Sequence, residues 1–178
     1  MPTIITHPLV AFLKSWFPRV PRRAVAVGAV ATILPDADVA AFAAGIPYHH
    51  PLGHRGFTHS IVFALIVAVV GTLLIRDRKH RRATFTFLFL CAMSHAVLDA
   101  MTDGGLGVAF FSPFSNERHF FPWTPIRVSP IGASFFSARG LATLFSEMRW
   151  VWLPVAVLTV IGRGVFKRER GPDLSPRA

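Results

Sequence analysis

Residues Ala83 to Asp103 read ATFTFLFLCAMSHAVLDAMTD, in which Ala83 to Met101 is an apolar run long enough to cross a bilayer, with His95 and Asp99 toward its end and Asp103 just after it. The three polar residues are spaced i, i+4, i+8, so one helical stripe carries them all. An imidazole and a carboxylate four residues apart can share one cation, or the carboxylate can orient a ligating imidazole from behind. The same spacing also suits an ordinary helical hydrogen bond. What sets it apart here is the apolar surrounding, where an ionised carboxylate costs several kcal/mol.

Outward from this run, three further stretches are apolar enough to be spans: Ala24 to Gly45, Phe57 to Ile75, and Trp150 to Gly162 with some extension at either end. The chain has 178 residues, 52% of them hydrophobic, and a mean hydropathy of +0.48. That exceeds what a soluble core of this size requires, and the surplus must face lipid. The expected fold is therefore all-α, a polytopic membrane helical bundle of about four transmembrane helices plus a short N-terminal helix over Thr6 to Phe17. Residues 1–169 read as a single membrane-embedded domain and 170–178, with two prolines, as a disordered tail. The amino terminus lacks the basic region, apolar run and small-residue cleavage pattern of a secretory signal and reads as part of the mature fold.

The formal charge of +10 comes from clusters at the ends of the apolar stretches. Arg19, Arg22 and Arg23 precede the first; Arg76, Arg78, Lys79, Arg81 and Arg82 join the second to the third; Arg163, Lys167, Arg168 and Arg170 follow the fourth. The positive-inside rule makes all three cytoplasmic, with both termini inside. Ile46 to Gly56 and Asp103 to Arg149 then lie on the outer face, the longer segment as an irregular lid or interfacial structure. The basic residues do not line one helix face and no helix-turn-helix or zinc-finger spacing is present, so direct nucleic-acid binding is not expected. Cys91 is the only cysteine, which excludes an intrachain disulfide and a thiolate-rich zinc cage. A metal would need imidazole and carboxylate ligands.

Such ligands recur. Leu34-Pro35-Asp36-Ala37-Asp38 interrupts the first apolar stretch, and Pro35 can open a new helical turn there. His54-Arg55-Gly56-Phe57-Thr58-His59-Ser60 stands where the second begins, with His54 expected in the loop, His59 in the first helical turn, and Thr58 or Phe57 near the cap. With each basic cluster as a boundary and about 1.5 Å of rise per residue, Asp36 lies roughly 18 Å from Ala24, His59 roughly 24 Å from Ile75, and His95 to Asp99 roughly 18 to 24 Å from Ala83. Three spans thus deliver polar groups to one level in the outer half of the bilayer. A short helix running down to the Pro18-Arg19-Val20-Pro21 turn would bring His7 to the same level near Asp36. His49 and His50, in the outer loop, read as bystanders.

The combination Leu34-Pro35-Asp36-x-Asp38, His54-Arg55-Gly56-x-Thr58-His59-Ser60 and Ser94-His95-x-x-x-Asp99 resembles the YdjM family of inner-membrane-associated, metal-dependent hydrolases, described as LexA-binding in its founding member. The resemblance runs from about Thr6 to Ser115 and takes in Phe111-Ser112-Pro113-Phe114-Ser115. It implies a distant similarity to zinc-dependent phospholipase C and the single-strand nucleases of that fold. On it, His7, Asp36, Asp38, His54, His59, His95 and Asp99 are the candidate metal ligands, without a choice between Asp36 and Asp38 or between His54 and His59. It also implies a transcriptional-regulator partner. Those soluble enzymes further use a processed amino terminus and additional His and Glu ligands, for which this sequence shows no counterpart motif.

The expected chemistry is metal-assisted hydrolysis of an ester or phosphoester, lipid or lipid-linked, at the membrane interface. Zinc is the first expectation for these ligands, with manganese or iron as alternatives. An unliganded carboxylate, Asp36 or Asp103, would take a proton, and Arg55 together with Arg118 would hold a phosphate. Two readings from other classes stand beside it: an ion- or proton-translocating protein built on His95, Asp99, Asp103 and Asp36, and a noncatalytic membrane adaptor whose basic loops bind a regulator or anionic lipid.

Overall fold

The computed structural model describes residues 1–130 and 132–169; the expected disordered tail lies outside them. Among the described residues every regular element is helical. The helices are α1 (Arg23–Ile33), α2 (Ala40–Ala43), α3 (Ile61–Ile75), α4 (Arg81–Ala100), α5 (Ala138–Glu147) and α6 (Leu153–Glu169). A 3-10 segment, His7–Trp16, precedes them, and another, Leu34–Val39, joins α1 to α2.

Three helical runs are long and apolar enough to cross a membrane: Arg23–Ala43, Arg81–Ala100 and Ala138–Phe166, of 21, 20 and 29 residues. The shorter apolar helix α3 stands beside them. This matches the expected bundle of about four, with three boundaries shifted. The second stretch becomes helical only at Ile61, because Ser60, with extended backbone, accepts the Phe63 N–H on its Oγ at 3.1 Å; Ser60, and neither Thr58 nor Phe57, is the cap. The fourth begins at Ala138, before Trp150, since α5 continues into α6 through a π-turn at Met148–Trp152. The outer segment expected to reach Arg149 therefore ends where α5 starts.

The core is built from small residues. Ala24, Ala31, Ala64 and Ala68 are buried with Phe87, Leu88, Cys91 and Ala92 where α1, α3 and α4 meet. Gly28 permits this approach: a Cβ there would stand 2.9 Å from the Phe87 ring and 3.1 Å from the Cys91 sulfur. With little hydrophobic drive between helices in lipid, such close backbone packing is the principal source of cohesion. The His7–Trp16 segment packs on α1, α4 and α6, and its Trp16 indole donates to the Leu158 carbonyl at 2.9 Å.

One end of the bundle gathers the basic clusters. Lys14, Arg22 and Arg163 line one groove there, Arg19 with Ala83 and Phe166 another, and Arg76, Arg78 and Arg81 a third. At the other end, residues after α4 fold back on it without forming a sheet: Asp103 N–H donates to the Ile126 carbonyl at 2.9 Å and Phe121 N–H to the Ala100 carbonyl at 2.9 Å. Isolated bridges pair Thr102 with Ile126 and Val108 with His119.

Candidate metal centre

Four segments bring their polar groups together at that end. Pro35 sits in the first turn of the 3-10 segment Leu34–Val39, whose tighter winding lets both Asp36 and Asp38 turn inward. A second 3-10 turn, Phe57–His59, precedes α3 and carries His59. The helix α4 supplies His95 and Asp99 one turn apart, and the amino-terminal 3-10 segment opens on His7.

Asp36, His59, His95 and Asp99 form one group whose ligand atoms all lie within 4.8 Å of one another. His95 Nε2 stands 3.0 Å from His59 Nε2 and 3.3 Å from Asp36 Oδ1, and His59 Nε2 stands 3.4 Å from Asp99 Oδ2. His59, His95 and Asp99 are sealed, and Asp36, at 6% exposure, is the most open of the four. His7 stacks on His95 with ring centroids 3.9 Å apart, and its Nε2 is 3.9 Å from Asp99 Oδ1.

Hydrogen bonding fixes which nitrogens face inward. The Thr32 carbonyl accepts the His95 Nδ1–H at 2.7 Å, so the His95 Nε2 lone pair points into the group. His59 Nδ1 faces Asp38 Oδ2 at 3.2 Å, which leaves its Nε2 for the same interior. Asp38 belongs behind. Its oxygens take a contact from His54 Nδ1 at 2.7 Å, the Thr58 hydroxyl at 2.6 Å and the Arg55 N–H at 3.2 Å. Asp38, His54 and His59 also make a second group that could hold an ion, but Asp38 already has protein donors on both oxygens.

The first group is less well supplied. Both oxygens of Asp36, Asp99 Oδ1 and both nitrogens of His7 are buried without a hydrogen bond, while Asp99 Oδ2 faces the Arg55 Nε at 2.9 Å. Buried polar groups are rarely left so, and a divalent cation would satisfy acceptors that no protein donor reaches. The donor set is oxygen and imidazole nitrogen, which fits zinc, manganese or iron. Burial and the neighbouring His95 hold His7 well below the ordinary histidine range, so it is a neutral imidazole. His59 behaves oppositely. Burial disfavours its charge, yet the Asp38 and Asp99 carboxylates outweigh this and raise it to about 9.

The structure does not bring all the expected residues into the centre. Asp103 is exposed and caps the Val128 N–H at 2.7 Å, because α4 stops at Ala100 and the i, i+8 stripe is cut. Arg55 is fully buried but turned to the protein: its Nε pairs with Asp99 Oδ2 at 2.9 Å, and its other nitrogens donate to the Gly104 carbonyl and the Thr102 hydroxyl. It holds Asp99 in place instead of presenting a fork to a phosphate. Arg55 does so from a left-handed backbone, φ 61°, which costs a side-chain-bearing residue on the order of 1 kcal/mol or more. Arg118 is spent on the carbonyls of His54 and Tyr48, at 2.9 and 3.0 Å, and ties the segment between α4 and α5 to the 48–54 loop. His49 and His50 stay exposed. Sequence reasoning passed over Thr32 and Thr58, which orient the ligating imidazoles; a hydroxyl next to His59 was the available sign for the second, and nothing in the sequence marks a backbone carbonyl.

The YdjM inner membrane protein family model matches residues 1–170. The chain belongs to that family. The match extends beyond Ser115, where the motif resemblance ended, and takes in α5 and α6. The chain is also 40% identical over 166 residues to the inner membrane protein YbcI of Escherichia coli (strain K12), covering 89% of this chain and 95% of that protein. No solved structure matches. This is thus a membrane protein of the YdjM family with a buried cluster of His and Asp side chains that could hold a metal ion.

Proposed function

We propose that this protein is a membrane-bound, zinc-dependent hydrolase of an ester or phosphoester, lipid or lipid-linked, with Asp36, His59, His95 and Asp99 as the metal ligands and His7 beside them. The observation that carries this reading is the set of buried atoms without a hydrogen bond on Asp36, Asp99 Oδ1 and His7, facing the Nε2 atoms of His59 and His95. A zinc ion there would supply Lewis-acid polarisation of the scissile group and acidify water. The chain's own residues do the remainder. Asp38 orients His59 through Nδ1, the Thr32 carbonyl orients His95, and Arg55 holds Asp99.

A lipid-type substrate is favoured by where the centre lies. It sits at the end of the bundle away from the basic clusters, beside an outer segment that exposes Phe111, Phe114 and Trp123. Aromatic side chains of this kind settle at the headgroup level. In this proposal the chain is multi-pass in the inner membrane with both termini cytoplasmic, and its basic loops are the surface for a regulator partner.

The test is elemental analysis of detergent-purified protein alongside His59→Ala and Asp99→Asn. About one zinc per chain is expected for the native protein and background for both variants, with hydrolysis of a lipid phosphoester lost in parallel. Equal metal content in all three would refute the assignment.

A further inference from the structure

Glu147 ends α5 at the point where the helix widens into the π-turn, and it is fully buried in an otherwise apolar run. Among the described residues no salt bridge reaches it, and a carboxyl group at zero exposure needs partners for its oxygens. They come from the other end of the chain. Its Oε1 accepts the Thr3 N–H at 2.5 Å, and its Oε2 accepts the Thr3 and Thr6 hydroxyls, each at 2.6 Å. The Thr6 oxygen in turn accepts the Trp152 indole N–H at 2.7 Å, so both sides of the π-turn grip the same residue. These bonds are at the short end of the hydrogen-bond range.

The residue after Thr6 is His7. The step between them is stiffened by Thr6 N–H to the Thr3 carbonyl at 2.9 Å and Leu9 N–H to the Thr6 carbonyl at 3.2 Å. Among the described residues the His7 side chain has no hydrogen-bond partner; its ring stacks on His95 and its Nε2 lies 3.9 Å from Asp99 Oδ1. Its height in the bundle is therefore set by what anchors the threonines. We propose that Glu147 is a positioning residue of the metal centre: it holds the Thr3–Thr6 segment so that His7 meets Asp99 and His95, and thereby sets the affinity of the centre for its cation. This rests on the metal-centre reading above. It also gives α5 and α6, which contribute no ligand, a role in the site.

The experiment is a zinc titration against a chelating competitor, in detergent, of the native protein, Glu147→Ala, Glu147→Gln, Thr6→Val, His7→Ala and the His7/Glu147 double alanine variant. Outer partners of metal ligands are worth roughly 10- to 100-fold in affinity. Glu147→Ala is expected to bind zinc more weakly within that range, Glu147→Gln and Thr6→Val less so, and the double variant no more weakly than His7→Ala alone. That last equality separates a tether acting through His7 from a general loss of packing, which would add to the His7 effect. Folded Glu147→Ala with native zinc affinity, or a double variant whose loss is the product of the two single losses, overturns the proposal. Should the alanine variants fail to fold, Glu147→Gln and Thr6→Val decide, and native affinity in both overturns it. A native protein that takes up no zinc overturns this proposal together with the metal-centre reading, whereas zinc-binding native protein beside an unaltered Glu147 series overturns the tether alone.

Discussion

Asp36 and Asp38 are two residues apart on one 3-10 turn, yet they look into different chemistry. Around Asp38 the accounts of donor and acceptor close: His54, the Thr58 hydroxyl and the Arg55 N–H cover its oxygens. Around Asp36 they do not close, for its Oδ1 meets only the Nε2 atoms of His95 and His59 at 3.3 and 3.8 Å, and Asp99 Oδ1 and the His7 nitrogens opposite are equally without a hydrogen bond. A protein can afford the first arrangement unaided. The second is one a cation completes, and the contrast separates ligands from the residues that hold them.

The largest effect expected from that contrast is on metal content. Asp36→Asn is expected to bring bound zinc, read by elemental analysis after dialysis, close to background, because it removes charge from the unpaired side. Asp38→Asn keeps the ligands and disturbs only the orientation of His59, so it should retain one zinc at roughly 10- to 100-fold weaker affinity. Equal losses in the two variants would erase the distinction between the two sides of the turn.

Next in size is the dependence on Arg55. Its guanidinium is the fixed positive charge against Asp99, and removing one member of a buried pair costs about 3–5 kcal/mol. Arg55→Ala should lower the melting temperature of metal-free protein sharply and that of zinc-loaded protein less, since a bound cation would still neutralise Asp99. Thermal melts with and without chelator check this, and identical losses in the two states would contradict it.

Proton competition gives a smaller, graded effect. In the metal-free protein the carboxylates raise His59 from its ordinary value of 6.5 to about 9. A group raised on folding stabilises the native state below its unfolded pKa, and that stability is lost as pH climbs through the folded value. Metal-free protein should therefore lose stability between pH 6.5 and about 9. Zinc must displace the same proton, so its apparent affinity should rise with pH, by about tenfold per unit at most, and level off near 9. Calorimetric titrations in buffers of different ionisation enthalpy measure the proton released; none released at pH 7.5 would contradict the raised His59.

Much of this centre was legible because spans and their basic ends set a ruler along the chain. His95 and Asp99 share a stripe by helical geometry alone, and the level of Asp36 and His59 follows from the rise per residue. What stayed hidden depended on where regular structure stops. Asp103 continues the stripe on paper, but α4 ends at Ala100 and the side chain turns to Val128. Arg55 looked like a phosphate holder because nothing in a sequence announces a left-handed residue whose guanidinium folds inward. Glu147 gave no signal, for its partners Thr3 and Thr6 lie 144 and 141 residues away, beyond any local pattern.

The smallest effect expected is at Arg118 and Asp103, the two charged residues placed outside the unpaired group. Arg118 donates to the carbonyls of Tyr48, His50 and His54 and lies over the Tyr48 ring at 5.5 Å, so it fastens the outer segment to the loop that carries His54. His54 touches Asp38 and lies edge-on to the His59 ring at 5.4 Å, but it does not reach the unpaired oxygens. Arg118→Ala should consequently loosen the 48–54 loop, seen as faster amide exchange there, while zinc content stays at the native value. Asp103→Asn, which keeps an acceptor for the Val128 N–H, should change neither. If either variant instead empties the site of zinc, the boundary drawn between residues that complete the cation's shell and residues that only frame it lies in the wrong place, and the outer segment belongs to the centre itself.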